Sequence, residues 1–248
     1  MNSIVNIFLL SLIAGLATGL GGLIAVIRKP GKKMFGFLMG FTAGVMISLA
    51  FLELVNEAWH LSGYLITTIG FAAGALFMFL IDFFIPHIRF KEKEENVFHP
   101  KLFRVGILVA IGITIHNIPE GIAVGAGYMH LPEFGLFIAM AIALHNIPEG
   151  IATALPLCNS GLCKWKSFRI ALYSGLVEPV GAVFAALFLT SFGFFIPASL
   201  AFAGGVMVFI TLDELIPMAR EQGHHHTTAL GIILGAIFVF LLSGFFGV

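Results

Sequence analysis

Residues 103–128 read FRVGILVAIGITIHNIPEGIAVGAGY, and residues 133–157 read EFGLFIAMAIALHNIPEGIATALPL. The octapeptide His116-Asn117-Ile118-Pro119-Glu120-Gly121-Ile122-Ala123 returns unchanged as His145-Asn146-Ile147-Pro148-Glu149-Gly150-Ile151-Ala152, at an offset of 29. Each copy sits inside an apolar stretch long enough to cross a bilayer, for which ~20 mostly apolar residues suffice. His and Glu are four positions apart and Asn and Glu three, so on a helix all three share one face. Two such helices joined by a short link run antiparallel and bring their two faces to one point. At 1.5 Å per residue His116 lies ~20 Å along its stretch, near the bilayer midplane. His145 is similarly deep. Pro119 and Pro148 cannot bond the carbonyls of Ile115 and Leu144, which predicts a kink and a freed carbonyl in each helix.

Working outward, three apolar stretches precede this pair (about 4–27, 34–58 and 63–86) and three follow it (about 167–190, 196–219 and 226–247). The chain reads as an all-α membrane protein, a single polytopic domain over residues 1–248. Eight transmembrane helices are expected in a 3+2+3 arrangement. Composition agrees: 59 % of residues are hydrophobic, 10 % are charged, and the mean hydropathy is +1.03. An ordinary soluble domain carries about 25 % charge. This excludes a soluble enzyme, a nucleic-acid binder and a disordered chain. The partners are the lipid bilayer and whatever crosses it. No strand-period alternation points to a β-barrel. The first stretch has neither the basic flank nor the A-x-A-like site of a cleaved signal peptide.

Charge placement orients the chain. All thirteen Lys and Arg fall in the links between spans 1 and 2, 3 and 4, 5 and 6, and 7 and 8, or at their edges. The positive-inside rule makes that face cytoplasmic and puts both termini outside. The polar run 87–102 reads as a solvated cytoplasmic loop. The compact loops favour a bacterial inner (plasma) membrane over an organellar one.

A second repeat links the ends of the chain. Gly44-Val45-Met46, Glu53-Leu54 and Gly70/Gly74 return near an offset of 161 as Gly205-Val206-Met207, Glu214-Leu215 and Gly231/Gly235, and Gly15-Leu16 returns at 160 as Gly175-Leu176. Spans 1–3 thus resemble spans 6–8 in opposite orientation. Inverted repeats around a midplane site are a transporter signature.

A carboxylate at a helix centre costs ~2.5–3.5 kcal/mol on insertion scales, and such residues mark ion or proton pathways. Glu178, followed by Pro179, adds a third deep carboxylate to Glu120 and Glu149, and no Lys or Arg lies within the spans. Imidazole, carboxylate and carboxamide suit divalent first-row metals such as Zn²⁺, Fe²⁺ and Mn²⁺. A pair of such ions, bridged by Glu120 and Glu149, would neutralise the site. Other uses of the same residues are a helix pair whose polar groups only bond one another, and a proton-coupled carrier or proton channel with a His/Glu relay. An intramembrane metalloprotease would show H-E-x-x-H. Here Asn follows His and Glu is four away, so no enzyme and no catalytic residues are assigned. No ATP-binding motif appears.

The doubled H-N-x-P-E-G, the eight spans and Asp213-Glu214-Leu215-Ile216-Pro217 in span 7 resemble the ZIP family of metal transporters, nearest to its bacterial ZupT- and GufA-like branches. The resemblance implies transport of divalent metal toward the cytoplasm, zinc first, with iron, manganese and cadmium as further cargo. The ion is substrate; no cofactor is implied. By motif position, His116, Glu120, His145 and Glu149 would hold a first ion. Asn117, Glu120, Asn146, Glu149 and Glu178 would hold a second. Spans 1, 4, 5 and 6 would form a carrying bundle against a scaffold of 2, 3, 7 and 8.

Residues along the route are read with alternatives open. Glu53 near the outer face, and its repeat mate Glu214 with Asp213 near the inner face, either collect and release ions or are simply hydrated. His224, His225 and His226 in the last cytoplasmic loop either receive ions or form a polar turn, and His87 and His99 stand likewise. Glu57, His60, His130 and Glu133 lie at the outer rim. Cys158 and Cys163 read as two thiols on the reducing side. Asp82 is expected to pair with a local donor. The glycines at 36/40/44, 70/74 and 231/235 let helices approach closely, either within the chain or in a homodimer.

Overall fold

The computed structural model describes residues 2–84 and 99–247, and these form helices with no strand among them. The loop residues His87, Arg89, Lys91 and Lys93 lie outside the described residues. In chain order the helices are α1 (Asn2–Ile27), α2 (Lys32–Ser48), α3 (Asn56–Phe84), α4 (Pro100–His130), α5 (Pro132–Asn159), α6 (Lys164–Gly175), α7 (Glu178–Ser191), α8 (Ile196–Ile210), α9 (Ile216–Gln222) and α10 (His225–Phe246). Two π-helical segments, Leu49–Val55 and Thr211–Leu215, join α2 to α3 and α8 to α9.

Among the described residues, seven helical runs are long and apolar enough to cross a membrane. The difference from the eight expected stretches lies in Lys32–Phe84, which runs for 53 residues. A straight helix of that length would extend about 80 Å, against a hydrocarbon core of about 30 Å. Inside it Gly63 leaves helical conformation at φ +76°, ψ 177°, a backbone state that favours a residue without Cβ. The two parts keep different company: α2 packs along α10, and α3 along α8.

The expected span at 167–190 is broken at Leu176 and Val177, between α6 and α7. Glu178 therefore starts a helix, with Pro179 in its first turn where a missing N–H costs nothing. By contrast α4 and α5 continue through Pro119 and Pro148 without leaving the helix.

The interior is built on α5, flanked by α1 and α4, with α7 on α4 and α6 on α1. Phe137, Ile138 and Ile142 of α5 share a core with Met39, Met46 and Leu49, and with Met207 and Ile210. Outward-facing positions carry large apolar groups such as Phe184, Phe194, Leu241 and Phe245. That is a surface for lipid rather than water. The paired glycines are used inside the chain. A Cβ on Gly40 or Gly44 would strike the carbonyls of Thr228 and Ile232 on α10, and one on Gly74 that of Phe202 on α8.

Contacts at the two ends of the bundle sort the links. At one end Lys29 Nζ donates to Asn159 Oδ1 (2.8 Å), the His99 N–H donates to the Ser160 carbonyl (3.1 Å), and Gly36 touches Gly223. At the other, Asn6 Nδ2 donates to the Tyr128 hydroxyl (2.8 Å), and Gly247 shares a cavity with Glu53 and His130.

Candidate metal centre

The two octapeptides meet in the middle of α4 and α5. His116 Nε2 lies 3.2 Å from Glu149 Oε2, and His145 Nε2 lies 3.0 Å from Glu120 Oε1. Each imidazole thus reaches the carboxylate of the opposite copy. An ionised carboxylate only accepts, so the ring N–H donates. Asn146 Nδ2 donates to the Ala14 carbonyl and to Glu178 Oε2, both at 2.9 Å. Asn117 Nδ2 donates to the Ser174 carbonyl at 2.9 Å.

These contacts put α1, α6 and α7 around the crossing. The helices come close because glycines line it. A Cβ on Gly121 would fall on the Glu178 carbonyl, and one on Gly150 on the Thr18 carbonyl. All seven candidate ligands (His116, Asn117, Glu120, His145, Asn146, Glu149 and Glu178) are at most 1 % exposed.

Polar groups buried this deeply are normally satisfied. Here each of the seven side chains keeps one atom without a partner in the protein: Nδ1 of both histidines, Oδ1 of both asparagines, Oε2 of Glu120, and Oε1 of Glu149 and Glu178. Thr18 Oγ1 joins them. Ligand atoms of His116, Glu120 and Glu149 all lie within 4.8 Å of one another, near enough for one small cation to span them. His145 is tied to this triplet through Glu120, and Glu178 bonds Asn146, the residue next to His145. A set of imidazole, carboxylate and amide oxygen donors around one point can exchange hydrogen bonds for bonds to a divalent ion.

Glu214 belongs to the neighbourhood of this centre. Its Oε1 would lie 3.3 Å from a Cβ on Gly112, one turn before His116 on α4. Asp82 is close enough to Glu214 and Asp213 for like charges to interact. Asp213 is exposed.

Glu53 lies apart, 8 % exposed, and accepts a hydrogen bond from Ser243. It lines a cavity of about 450 Å³ with Asn56, Glu57 and His130. His130 and Glu57 pair there at 2.7 Å. His224, His225 and His226 open α10 on its exposed end, with the rings of His224 and His226 5.5 Å apart.

Cys158 and Cys163 are free thiols. Exposed Cys163 precedes α6, and hydrogen bonds from the backbone N–H groups of Trp165 and then Lys166 hold its pKa below the ordinary thiol value. Thr18, Gly112, and the Ala14 and Ser174 carbonyls carry no signal in the sequence that marks them for this site. Main-chain acceptors leave no compositional trace, and a single threonine in an apolar helix is unremarkable.

Comparison with known proteins bears on the same residues. A model of the family described as ZIP Zinc transporter matches residues 91–243. The chain is 40 % identical over 250 residues to the zinc transporter ZupT of Chlorobium limicola, covering 91 % of this chain and 92 % of that protein. It is 40 % identical over 256 residues to that of Oceanobacillus iheyensis, covering 95 % and 96 %. It is 42 % identical over 249 residues to that of Lysinibacillus sphaericus, covering 92 % and 93 %.

Proposed function

This chain belongs to the ZIP zinc transporter family, and on that footing we propose that it carries divalent metal, zinc first and iron, manganese or cadmium with it, into the cytoplasm of a bacterium. The observation that carries the reading is the buried triplet His116, Glu120 and Glu149 beside a ring of unpartnered donor atoms. Each ion would exchange the His–Glu hydrogen bonds for coordination. Glu120 and Glu149 each come from a different helix and bond the opposite histidine; in this reading both would bridge two ions. Asn146 and Glu178 would complete the second position, with Asn117 facing it from α4.

The bundle is read as eight spans, with Lys32–Phe84 crossing twice around Gly63. The end carrying Lys29 and His99 would face the cytoplasm, and both termini would lie outside with the cavity of Glu53 and His130. Ions would then arrive through that cavity and leave past Glu214, Asp213 and Asp82. The matching offsets of Glu53 and Glu214 support inverted repeats. A negative interior favours this direction by ~2.3 kcal/mol per elementary charge per 100 mV. His224–His226 stand at the same cytoplasmic end and would take up released ions. Paired copies of the chain are compatible with this scheme and are not required by it.

The test is uptake of radiolabelled Zn²⁺ into proteoliposomes by the wild type and by Glu120→Gln/Glu149→Gln. A saturable flux lost in the double variant is expected. Equal flux in both would overturn the site assignment. Proton flux without metal, in a protein that carries no zinc, would favour the proton-carrier reading of the same residues.

A further inference from the structure

Thr18 is the odd member of the unpartnered set. Five helical threonines satisfy the hydroxyl on the carbonyl four residues back: Thr67 on Gly63, Thr114 on Ala110, Thr153 on Glu149, Thr190 on Ala186 and Thr211 on Met207; Thr42, Thr227 and Thr228 find other carbonyls. Thr18 would use the Ala14 carbonyl. That oxygen instead accepts Asn146 Nδ2 at 2.9 Å, and Thr18 Oγ1 is left fully buried without a partner.

Its position has a counterpart. Asn146 donates to Ala14 and Asn117 donates to Ser174, each at 2.9 Å. Four residues after Ala14 stands Thr18, and four after Ser174 stands Glu178. A Cβ on Gly150 would strike the Thr18 carbonyl, and one on Gly121 the Glu178 carbonyl. A Cβ on Gly175 would lie 2.8 Å from Thr18 Cβ, and one on Gly15 would lie 3.6 Å from Glu178 Cβ. Each of these contacts of Glu178 is thus matched at Thr18. One difference stands out. Asn146 Nδ2 reaches Glu178 Oε2 as well as the Ala14 carbonyl, whereas Asn117 Nδ2 bonds the Ser174 carbonyl, and Thr18 Oγ1, like Oδ1 of both asparagines, has no partner in the protein.

We propose that Thr18 is a further residue of the metal centre, the neutral counterpart of Glu178, and that with Asn117 Oδ1 it binds a water carried by the divalent ion. The inference rests on the metal-transport reading above. A hydroxyl can donate to the amide oxygen or accept from a metal-bound water. Such water-mediated contacts are nearly as favourable as direct ones. The centre then has a charged half, where Glu178 holds the ion, and an uncharged half, where the ion keeps part of its hydration. An ion passing through meets one half that retains it and one that lets it go.

The experiment measures zinc affinity of the purified full-length protein by competition with a chromogenic chelator, alongside the metal-free unfolding midpoint. Thr18→Val removes the hydroxyl at nearly constant volume. It is expected to weaken zinc binding about 10-fold, as loss of a partner of metal ligands does, with the metal-free midpoint unmoved. Thr18→Ser, which keeps the hydroxyl, is expected to restore affinity, and Thr18→Ala to repeat the loss without the branched side chain. Equal affinities of wild type, Thr18→Val and Thr18→Ala would reduce Thr18 to packing and overturn the proposal while leaving the transport reading intact. A wild type that binds no zinc would overturn both.

Discussion

Glu53 and Glu214 each ride on a π-helical turn, within Leu49–Val55 and Thr211–Leu215 respectively. The two glutamates are 161 positions apart, the same offset that relates the glycines of spans 2 and 3 to those of spans 7 and 8. A π turn inserts one extra residue into the helix and re-aims the side chains on it, which is why such turns gather at functional sites. Here they turn one carboxylate toward the cavity beside His130 and the other toward Gly112, under His116.

From this placement the two glutamates should fail differently when neutralised. If Glu53 collects ions on entry as proposed, Glu53→Gln is expected to raise the KM for zinc uptake with little change in the maximal rate, since such a group contributes to capture alone. If Glu214 lies on the release route as proposed, Glu214→Gln is expected to lower the maximal rate. An effect of roughly 10-fold in each parameter is the scale of one lost interaction of about 1.4 kcal/mol. Uptake kinetics in oriented proteoliposomes separate the two. A common effect on both parameters in both variants would remove the distinction between intake and release.

How much of the molecule is legible in the sequence depends on the type of signal. His116, Asn117 and Glu120 are legible because their spacing puts three ligand types on one helical face, twice. Glu178 is legible because burying a carboxylate deep in an apolar stretch costs too much for packing alone to keep it there. Thr18 is not, because threonine in an apolar helix is ordinary, and the Gly15-Leu16/Gly175-Leu176 match stops short of the pair that differs. The π turns leave no mark on hydropathy, since they change hydrogen-bond register rather than composition. The break at Leu176–Val177 is hidden in the same way: both residues are apolar, and only Pro179 hints at a new helix start. α4 and α5 run on as helix through Pro119 and Pro148, while α7 packs on α4 and α1 on α5.

The close seam between α2 and α10 should be intolerant of any side chain. In lipid, helix association depends on packing contact rather than on release of water. A Cβ on Gly44 would land on the Ile232 carbonyl, whereas one on Gly193 meets nothing within 4 Å. Gly44→Ala is expected to destabilise the protein by about 1–3 kcal/mol, the usual scale for overpacking, and to lower its thermal midpoint in detergent. Gly193→Ala should leave the midpoint where it is. An unchanged midpoint for Gly44→Ala would mean that the two helices part without cost.

Cys163 offers a probe of both orientation and chemistry. It is exposed, whereas Cys158 is half-buried. Backbone N–H groups of Trp165 and Lys166 stabilise the thiolate and hold its pKa below the ordinary value. The thiolate is the nucleophile, so a lowered pKa means that alkylation already runs fast at a pH where an ordinary thiol is still protonated. The rate should rise with pH and level off once pH passes the lowered pKa. A membrane-impermeant maleimide is therefore expected to label Cys163 ahead of Cys158, from the cytoplasmic face only, with a rate midpoint below that of a free cysteine peptide under the same conditions. Labelling from the outer face would invert the topology. A midpoint at or above the peptide's would remove the helix N-terminus as the source of the shift.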